Sequence, residues 1–460
     1  MITIRYEQGT LAIDCQEYAY LVRNIAGCEW DTRTECYRMP GYQYYRLIMT
    51  LYQNKIEYKD EARQYKVLDL VLASQVTPFP FQKEAIQSWN NADKRGVIVL
   101  PTGTGKSYVG VLAIATAQRS TIVLVPTIDL MHQWYDVLKT YFSNAKIGLI
   151  GGGYYEVEDL TIITYDSAYR HLEHLGNRFG LIIFDECHHL PSQTYQLGAE
   201  FAIAPYRLGL SATPERVDGG HFQFNNLIGP LVYRKAISEM SGLYLADYTV
   251  VEIKAKLSAE ERTEYQNNRN IYLNFIRMHG INLAHDWGKF IIACSRSQEG
   301  RSAFLAYRKQ KEIAFATPAK LKILENLLKK HKNCRIIIFT QDNATAYQVS
   351  TTFLVPIITH QTKAKERREY LLGFNQGKYN ILVTSKVLNE GVNVPAANIG
   401  IILSGSSSIR EHVQRLGRIL RKYGDKQALL YEIVTSDTAE QFVSQRRREH
   451  EAYNRFAEQD

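Results

Sequence analysis

Between about residues 76 and 235, short apolar runs alternate with longer stretches of helical period. The runs at 97–100, 121–125, 147–150, 160–164, 181–184 and 208–211 are apolar at nearly every position. Strands of that kind are buried on both faces, and strands separated by helices pair in parallel. The pattern therefore predicts an α/β unit over 76–235. Runs at 335–339, 356–359, 381–384, 399–403 and 429–433 predict a second such unit over 313–460. Residues 236–312 break the pattern: they are charged, helical in period and nearly free of strand signals, and 260–280 reads as one amphipathic helix. Residues 1–75 alternate short apolar segments and read as a separate small α/β unit.

Composition narrows the class. The 460 residues exceed one ordinary core, and 45% hydrophobic with 22% charged residues is a globular balance. No apolar run is long enough for a bilayer. The opening residues lack the charged-then-apolar plan of a secretory signal, so a cytoplasmic location is expected. Six scattered cysteines, with no C-x-x-C pair, read as free thiols in a reducing compartment. A net charge of +8 suits a polyanionic partner, though mildly.

Two local patterns carry the chemistry. The first strand runs into Leu100, Pro101, Thr102, Gly103, Thr104, Gly105, Lys106 and Ser107, ahead of a helix. That is the strand, small-residue loop and helix order of a phosphate-binding loop. Its backbone N–H groups and helix N-terminus face phosphate oxygens, Lys106 reaches the β/γ-phosphates, and Ser107 ligates Mg²⁺. The loop departs from the full motif, since Leu100 stands at the first glycine's place. The second pattern is Asp185, Glu186, Cys187 and His188 at the end of the 181–184 strand. Asp185 is placed to hold Mg²⁺, directly or through water, and Glu186 to orient or deprotonate the attacking water. Together, in this order and each at a strand end, the two patterns predict a nucleoside triphosphatase that uses Mg²⁺.

The second α/β unit has no phosphate loop. It offers Gln414, Arg415, Arg418 and Arg421 instead, with the arginines spaced along one edge of a helix. Arginines delivered from a neighbouring domain stabilise a transferring phosphoryl group and tie hydrolysis to domain closure. Residues 1–75 are crowded with tyrosines (among them Tyr6, Tyr20, Tyr37, Tyr44 and Tyr52) interleaved with Arg23, Arg33, Arg38 and Arg46. Such a mixture either stacks on nucleic-acid bases or fills a small core. The basic residues of 236–312, including Arg262, Arg269, Arg277 and Lys289, either grip a nucleic-acid backbone or solvate a helical linker.

Read in order, the segments at 81–82, 101–107, 125–127, 163–167, 185–188, 211–213, 336–340, 384–395 and 414–421 resemble the motif series of superfamily 2 DNA and RNA helicases. Within it the chain is similar to the XPB DNA-repair helicases, above all the compact archaeal type, along nearly its whole length. The resemblance implies two RecA-like parallel-sheet motor domains, a damage-recognition domain over 1–75 and a helical thumb-like insertion over 236–312. It implies 3′ to 5′ unwinding or tracking on forked, distorted or duplex DNA, a role in nucleotide-excision repair, and a nuclease partner. By position, Gln82 resembles the glutamine that reads adenine. His188, Ser211 and Thr213 resemble the link between nucleotide and DNA. Thr127, Asp166, Arg216, Thr340 and Thr384 fall in DNA-contacting or DNA-opening motifs. Gly391 falls in the motif joining DNA to nucleotide, and Gln414, Arg418 and Arg421 in the catalytic set, the arginines as fingers.

The chain also departs from that series. The Arg-Glu-Asp element expected after the 211–213 motif reads Arg216, Val217, Asp218, so the middle carboxylate of that strand-opening element is absent. Phe79 replaces an arginine before the glutamine motif, and Asn389 and Asn393 replace acidic positions beside Gly391. The alternative is a DNA-binding ATPase scaffold that positions a nuclease or transcription partner without processive unwinding. A restriction-system motor is a further rival, with no nuclease or methyltransferase signature in the chain to support it.

Overall fold

The computed structural model describes residues 2–15, 17–73, 76–214, 223–240, 243–244, 248–282, 286–385, 397–405 and 428–448. They form two compact units, divided between Ala236 and Ile237.

The first unit is built on an eight-stranded sheet. From one edge its order is Leu231–Arg234, Arg95–Val99, Tyr206–Ser211, Leu181–Asp185, Thr121–Val125, Leu160–Thr164, Ile147–Gly151 and Tyr154–Tyr155. All neighbours are parallel except the last pair. All six expected strands are present, in the parallel sheet that the apolar runs predict. The two edge strands were not expected: Leu231 is half exposed and the Tyr154–Tyr155 strand has only two residues, so neither makes an apolar run. Val97, Val99, Ile122, Leu124, Ile163 and Phe184 carry the core between sheet and helices.

A smaller sheet, in the order Glu29–Asp31, Cys36–Pro40, Thr10–Asp14, Ile2–Glu7 and Tyr58–Asp60, makes the N-terminal part. Ile2, Ile4, Leu11, Ile13, Leu47 and Leu51 form its core, which also takes in Ile203. The Tyr6 hydroxyl donates to the Leu172 carbonyl at 2.7 Å and lies 3.0 Å from that of Phe201. The N-terminal sheet is thus tied to helices Tyr165–Leu175 and Tyr195–Phe201, which belong with the larger sheet.

Most of its tyrosines are structural. Tyr37 and Tyr44 are buried, Arg23 donates to the Tyr37 hydroxyl at 2.6 Å, and Tyr44 donates to Asp60. Arg38 pairs with Glu7 and Asp31, and Arg33 with Asp31. Tyr20, Trp30 and Tyr52 remain exposed. The core-filler reading therefore holds for Tyr37 and Tyr44, and Tyr6, Tyr18, Tyr58 and Tyr65 pack half-buried against the same core.

The second unit has a six-stranded, all-parallel sheet in the order Tyr248–Ala255, Ala428–Thr435, Ile399–Ile402, Ile336–Phe339, Ile381–Thr384 and Ile357–Ile358. Tyr248–Ala255 is a correction to the expected helical segment: it is an edge strand of this sheet, and the long helices begin only at Ala259. Helices Ala259–Met278, Trp287–Arg296 and Gln298–Phe315 follow. The first has Ser258 and Glu261 as a reciprocal cap. Tyr272, Phe275, Phe290, Cys294, Ala303 and Ala306 give these helices a core of their own. At the sheet's end, the Lys320 ammonium donates to Glu440 and to the Leu403 carbonyl, both at 2.6 Å, with no exposed surface.

Among the described residues no helix is long and apolar enough to cross a membrane. All six cysteines are free.

Candidate active site

The phosphate loop leaves strand Arg95–Val99 through Leu100 and Pro101, and helix Lys106–Ala117 receives it. Gly103 and Gly105 have φ of 89° and 82°, a region where a side chain is strained. A Cβ on Gly105 would also lie 2.9 Å from Gln82 Nε2. The loop is braced from within. Thr104 Oγ1 donates to the Pro101 carbonyl at 2.8 Å. Gln82 Nε2 donates to the Thr104 carbonyl at 3.2 Å, while its Oε1 accepts from the Phe79 N–H at 3.0 Å. Both ends of the Gln82 amide are thus engaged by the chain itself. The departure at Leu100 has a plain explanation: its buried N–H donates to the Ser211 carbonyl at 3.0 Å, so the position still belongs to the sheet. The Lys106 ammonium lies 3.4 Å from the Leu100 carbonyl, and Ser107 is half-buried in the first helical turn.

The acidic side sits one strand away. Tyr206–Ser211 separates the loop's strand from Leu181–Asp185, and both strands end on the same rim, where open α/β sheets bind ligands. Asp185 is 4% exposed. Its Oδ2 accepts from the Trp134 indole N–H at 2.7 Å and its Oδ1 from the Glu186 N–H at 3.0 Å. Burial, reinforced by the Glu186 charge, pushes the Asp185 carboxyl up to about 6, while Trp134 and Lys106 pull the other way. Glu186 has φ of 48°, left-handed for a side-chain-bearing residue. Its Oε2 is buried without a hydrogen bond among the described residues and lies 3.5 Å from His188 Nδ1. His188 Nδ1 is 3.2 Å from Ser211 Oγ, which accepts from the Thr213 N–H at 3.2 Å. Glu186, His188, Ser211 and Thr213 form one polar chain leading away from the acidic pair.

These residues fit a Mg²⁺–nucleotide. A side chain at Gly105 would be strained and would crowd the Gln82 amide, Lys106 supplies a cation, and Ser107 and Asp185 are hard oxygen ligands. Glu186 Oε2, which has no hydrogen bond among the described residues, is left for a water.

The other expected site residues are distributed as follows. Thr127 caps helix Ile128–Tyr141, its side chain accepting from the Leu130 N–H at 3.2 Å. Asp166, in the first turn of helix Tyr165–Leu175, accepts from the Tyr195 hydroxyl at 2.8 Å. Thr340 and Thr384 end neighbouring strands of the second unit and are fully buried, their hydroxyls bonded to the backbone. Arg216, Gly391, Gln414, Arg415, Arg418 and Arg421 lie outside the described residues. Two groups at the site were not anticipated: Trp134, and Tyr165, whose hydroxyl donates to the Asp185 carbonyl at 3.0 Å. Both are aromatics on apolar helix faces, where sequence offers nothing to tell a site neighbour from core.

Three family profiles match the chain. One described as type III restriction enzyme, res subunit, matches residues 75–216. One described as helicase conserved C-terminal domain matches 319–423. One described as xeroderma pigmentosum group B helicase damage recognition domain matches 4–62. The DNA 3′-5′ translocase XPB2 of Sulfurisphaera tokodaii is 39% identical over 451 residues, covering 98% of this chain and 100% of that protein. The chain belongs to the XPB helicase family. The DNA 3′-5′ helicase XPB of Kineococcus radiotolerans is 32% identical over 376 residues, 79% of this chain and 60% of that longer relative. The crystal structure of the Pyrococcus furiosus Hef helicase domain aligns with a TM-score of 0.52 at 16% identity, covering 82% of this chain and 99% of that one, a likeness of fold. The XPB membership also settles the restriction-motor rival, since the res-subunit profile spans only one part of a chain that an XPB relative matches end to end.

Proposed function

We propose that this XPB-family chain is an ATP-driven DNA motor that tracks 3′ to 5′ and uses its phosphate loop and acidic strand end as the hydrolytic centre. The family carries the class, an ATP-dependent DNA helicase or translocase acting in repair. The observation that supports the site assignment is the buried Glu186 oxygen, without a hydrogen bond among the described residues, beside an Asp185 already oriented by two donors. When bound, Mg²⁺ neutralises phosphate charge. This chain's own residues do the rest. The loop backbone and Lys106 bind the phosphates, Ser107 and Asp185 hold the metal, and Glu186 takes a proton from the attacking water. His188, Ser211 and Thr213 relay the state of that carboxylate. Arg418 and Arg421 act as fingers, Gln414 belongs to the same motif, and Gly391 serves the nucleotide side. Thr127 and Asp166 in the first unit, and Thr340 and Thr384 in the second, belong to segments that contact DNA. The domains proposed are 1–75 for damage recognition, 76–235 and 313–460 for the two motor domains, and 236–312 for the thumb-like insertion, less the strand Tyr248–Ala255 that pairs in the second sheet.

One observation favours a second reading, tracking without strand separation: Val217 stands between Arg216 and Asp218 where the resemblance expects a carboxylate. Forked-duplex unwinding and triplex displacement, each measured with ATP and with and without a candidate nuclease partner, separate the two. Displacement of the third strand without fork opening supports tracking alone. Fork opening supports the helicase reading. Neither activity, with or without the nuclease, refutes the motor.

A further inference from the structure

Trp134 lies in the second turn of helix Ile128–Tyr141 and is 1% exposed. Two contacts set it apart from core filler. Its indole N–H donates to Asp185 Oδ2 at 2.7 Å, a charge-assisted bond at the short end for nitrogen donors. The far edge of its ring lies against Gly110 of the phosphate-loop helix, so close that a Cβ there would stand 2.5 Å from Cη2. One side chain thus touches the helix that begins with Lys106 and the carboxylate that ends the acidic strand. The helix carrying it starts at the Thr127 cap. A buried indole N–H needs an acceptor, but a main-chain carbonyl would satisfy it equally well. Here it takes one oxygen of a carboxylate whose other oxygen is already held by the Glu186 N–H.

We propose that Trp134 is the positioning residue of the metal site: its N–H fixes the rotation of the Asp185 carboxylate, and its ring, seated on Gly110, fixes the spacing between that carboxylate and the phosphate-loop helix. This rests on the nucleotide-site reading above. Groups that orient a metal ligand typically matter for metal affinity and not for the ligand-free fold alone. The device also gives the Thr127 helix a direct mechanical contact with the metal ligand.

The test is equilibrium binding of a fluorescent ADP analogue to the full chain, in Mg²⁺ and in EDTA. Trp134→Phe keeps a ring and loses the N–H. It is expected to bind the analogue as the parent does in EDTA, and to lose about tenfold of the tightening that Mg²⁺ brings, the weak end for a hydrogen bond to a charged group. Asp185→Asn sets the reference for full loss, and adding Trp134→Phe to it should change the Mg²⁺ response no further. Retention of the parent's Mg²⁺ response overturns the inference. So does an equal loss in Mg²⁺ and EDTA, which is what a packing role alone produces. A parent with no Mg²⁺ response refutes the nucleotide-site reading itself. Should Trp134→Phe fail to fold, the ¹⁵N-indole spectrum of the parent decides. Of its four tryptophan signals, the one altered in Asp185→Asn must shift when Mg²⁺ joins bound ADP. If that signal stays still, the inference falls.

Discussion

Asp185→Asn should make the metal-free chain more stable at neutral pH while removing its Mg²⁺ response. The Asp185 carboxyl titrates at about 6 in the folded chain, against an ordinary value of 3.8. The contribution of a carboxyl raised in this way is fully present below 3.8 and is lost as pH rises through 6. At pH 7.5 the ionised group therefore costs the first unit about 3 kcal/mol, at about 1.4 kcal/mol per tenfold change in proton affinity. Asparagine removes the charge but has only one acceptor oxygen. Its NH₂ must face either the Trp134 indole N–H or the Glu186 N–H, and the lost hydrogen bond offsets about 1–2 kcal/mol. A net gain of about 1–2 kcal/mol raises the unfolding midpoint of a unit this size by about 2–8 °C. The assay is thermal unfolding in EDTA without nucleotide, at pH 7.5 and at pH 4. The gain should appear at pH 7.5 and largely disappear at pH 4, where the folded-state carboxyl is protonated and the unfolded-state one is about half so. A variant that melts below the parent at pH 7.5, or one whose advantage is the same at both pH values, refutes the argument.

Breaking the buried pair of the second unit with Lys320→Met strands Glu440 in the core and should cost about 3–5 kcal/mol, seen as a lower denaturation midpoint. Replacing both partners, Lys320→Met with Glu440→Leu, should recover most of that loss, and a double variant no better than the single one contradicts the assignment. Gly105→Ala forces a Cβ onto Gln82 Nε2 in a left-handed position, which should cost about 1–2 kcal/mol of stability and weaken ATP binding in an equilibrium titration. Parent-like binding would mean the loop tolerates rearrangement.

How much of this was legible in the sequence depends on how local each feature is. The six buried strands of the first unit each occupy a short continuous apolar run, so their parallel sheet was visible. Leu231–Arg234 and Tyr154–Tyr155 lie at its edges, where half-exposed residues carry no periodic signal. Tyr248–Ala255 was missed because its neighbourhood is charged and its partner, Ala428–Thr435, lies far along the chain. The site follows the same division. Lys106, Ser107, Asp185 and Glu186 sit in contiguous motifs at strand ends. The Trp134 bond spans 51 residues, and the Tyr6 bond to Leu172 spans 166. The tyrosine-rich opening shows the limit most plainly, since composition alone does not say which hydroxyls will meet a carbonyl on a distant helix.

The central claim is that Glu186, at the end of the acidic strand, activates water in a DNA-coupled ATPase. The direct measurement is steady-state ATP turnover of the full chain and of Glu186→Gln, each with and without DNA, alongside equilibrium ATP binding. The account predicts that DNA stimulates the parent, that Glu186→Gln binds ATP as the parent does, and that its turnover falls by about 10²–10⁴-fold, as expected on losing a general base. Turnover of Glu186→Gln within a few-fold of the parent, or a parent rate indifferent to both single- and double-stranded DNA, would contradict it.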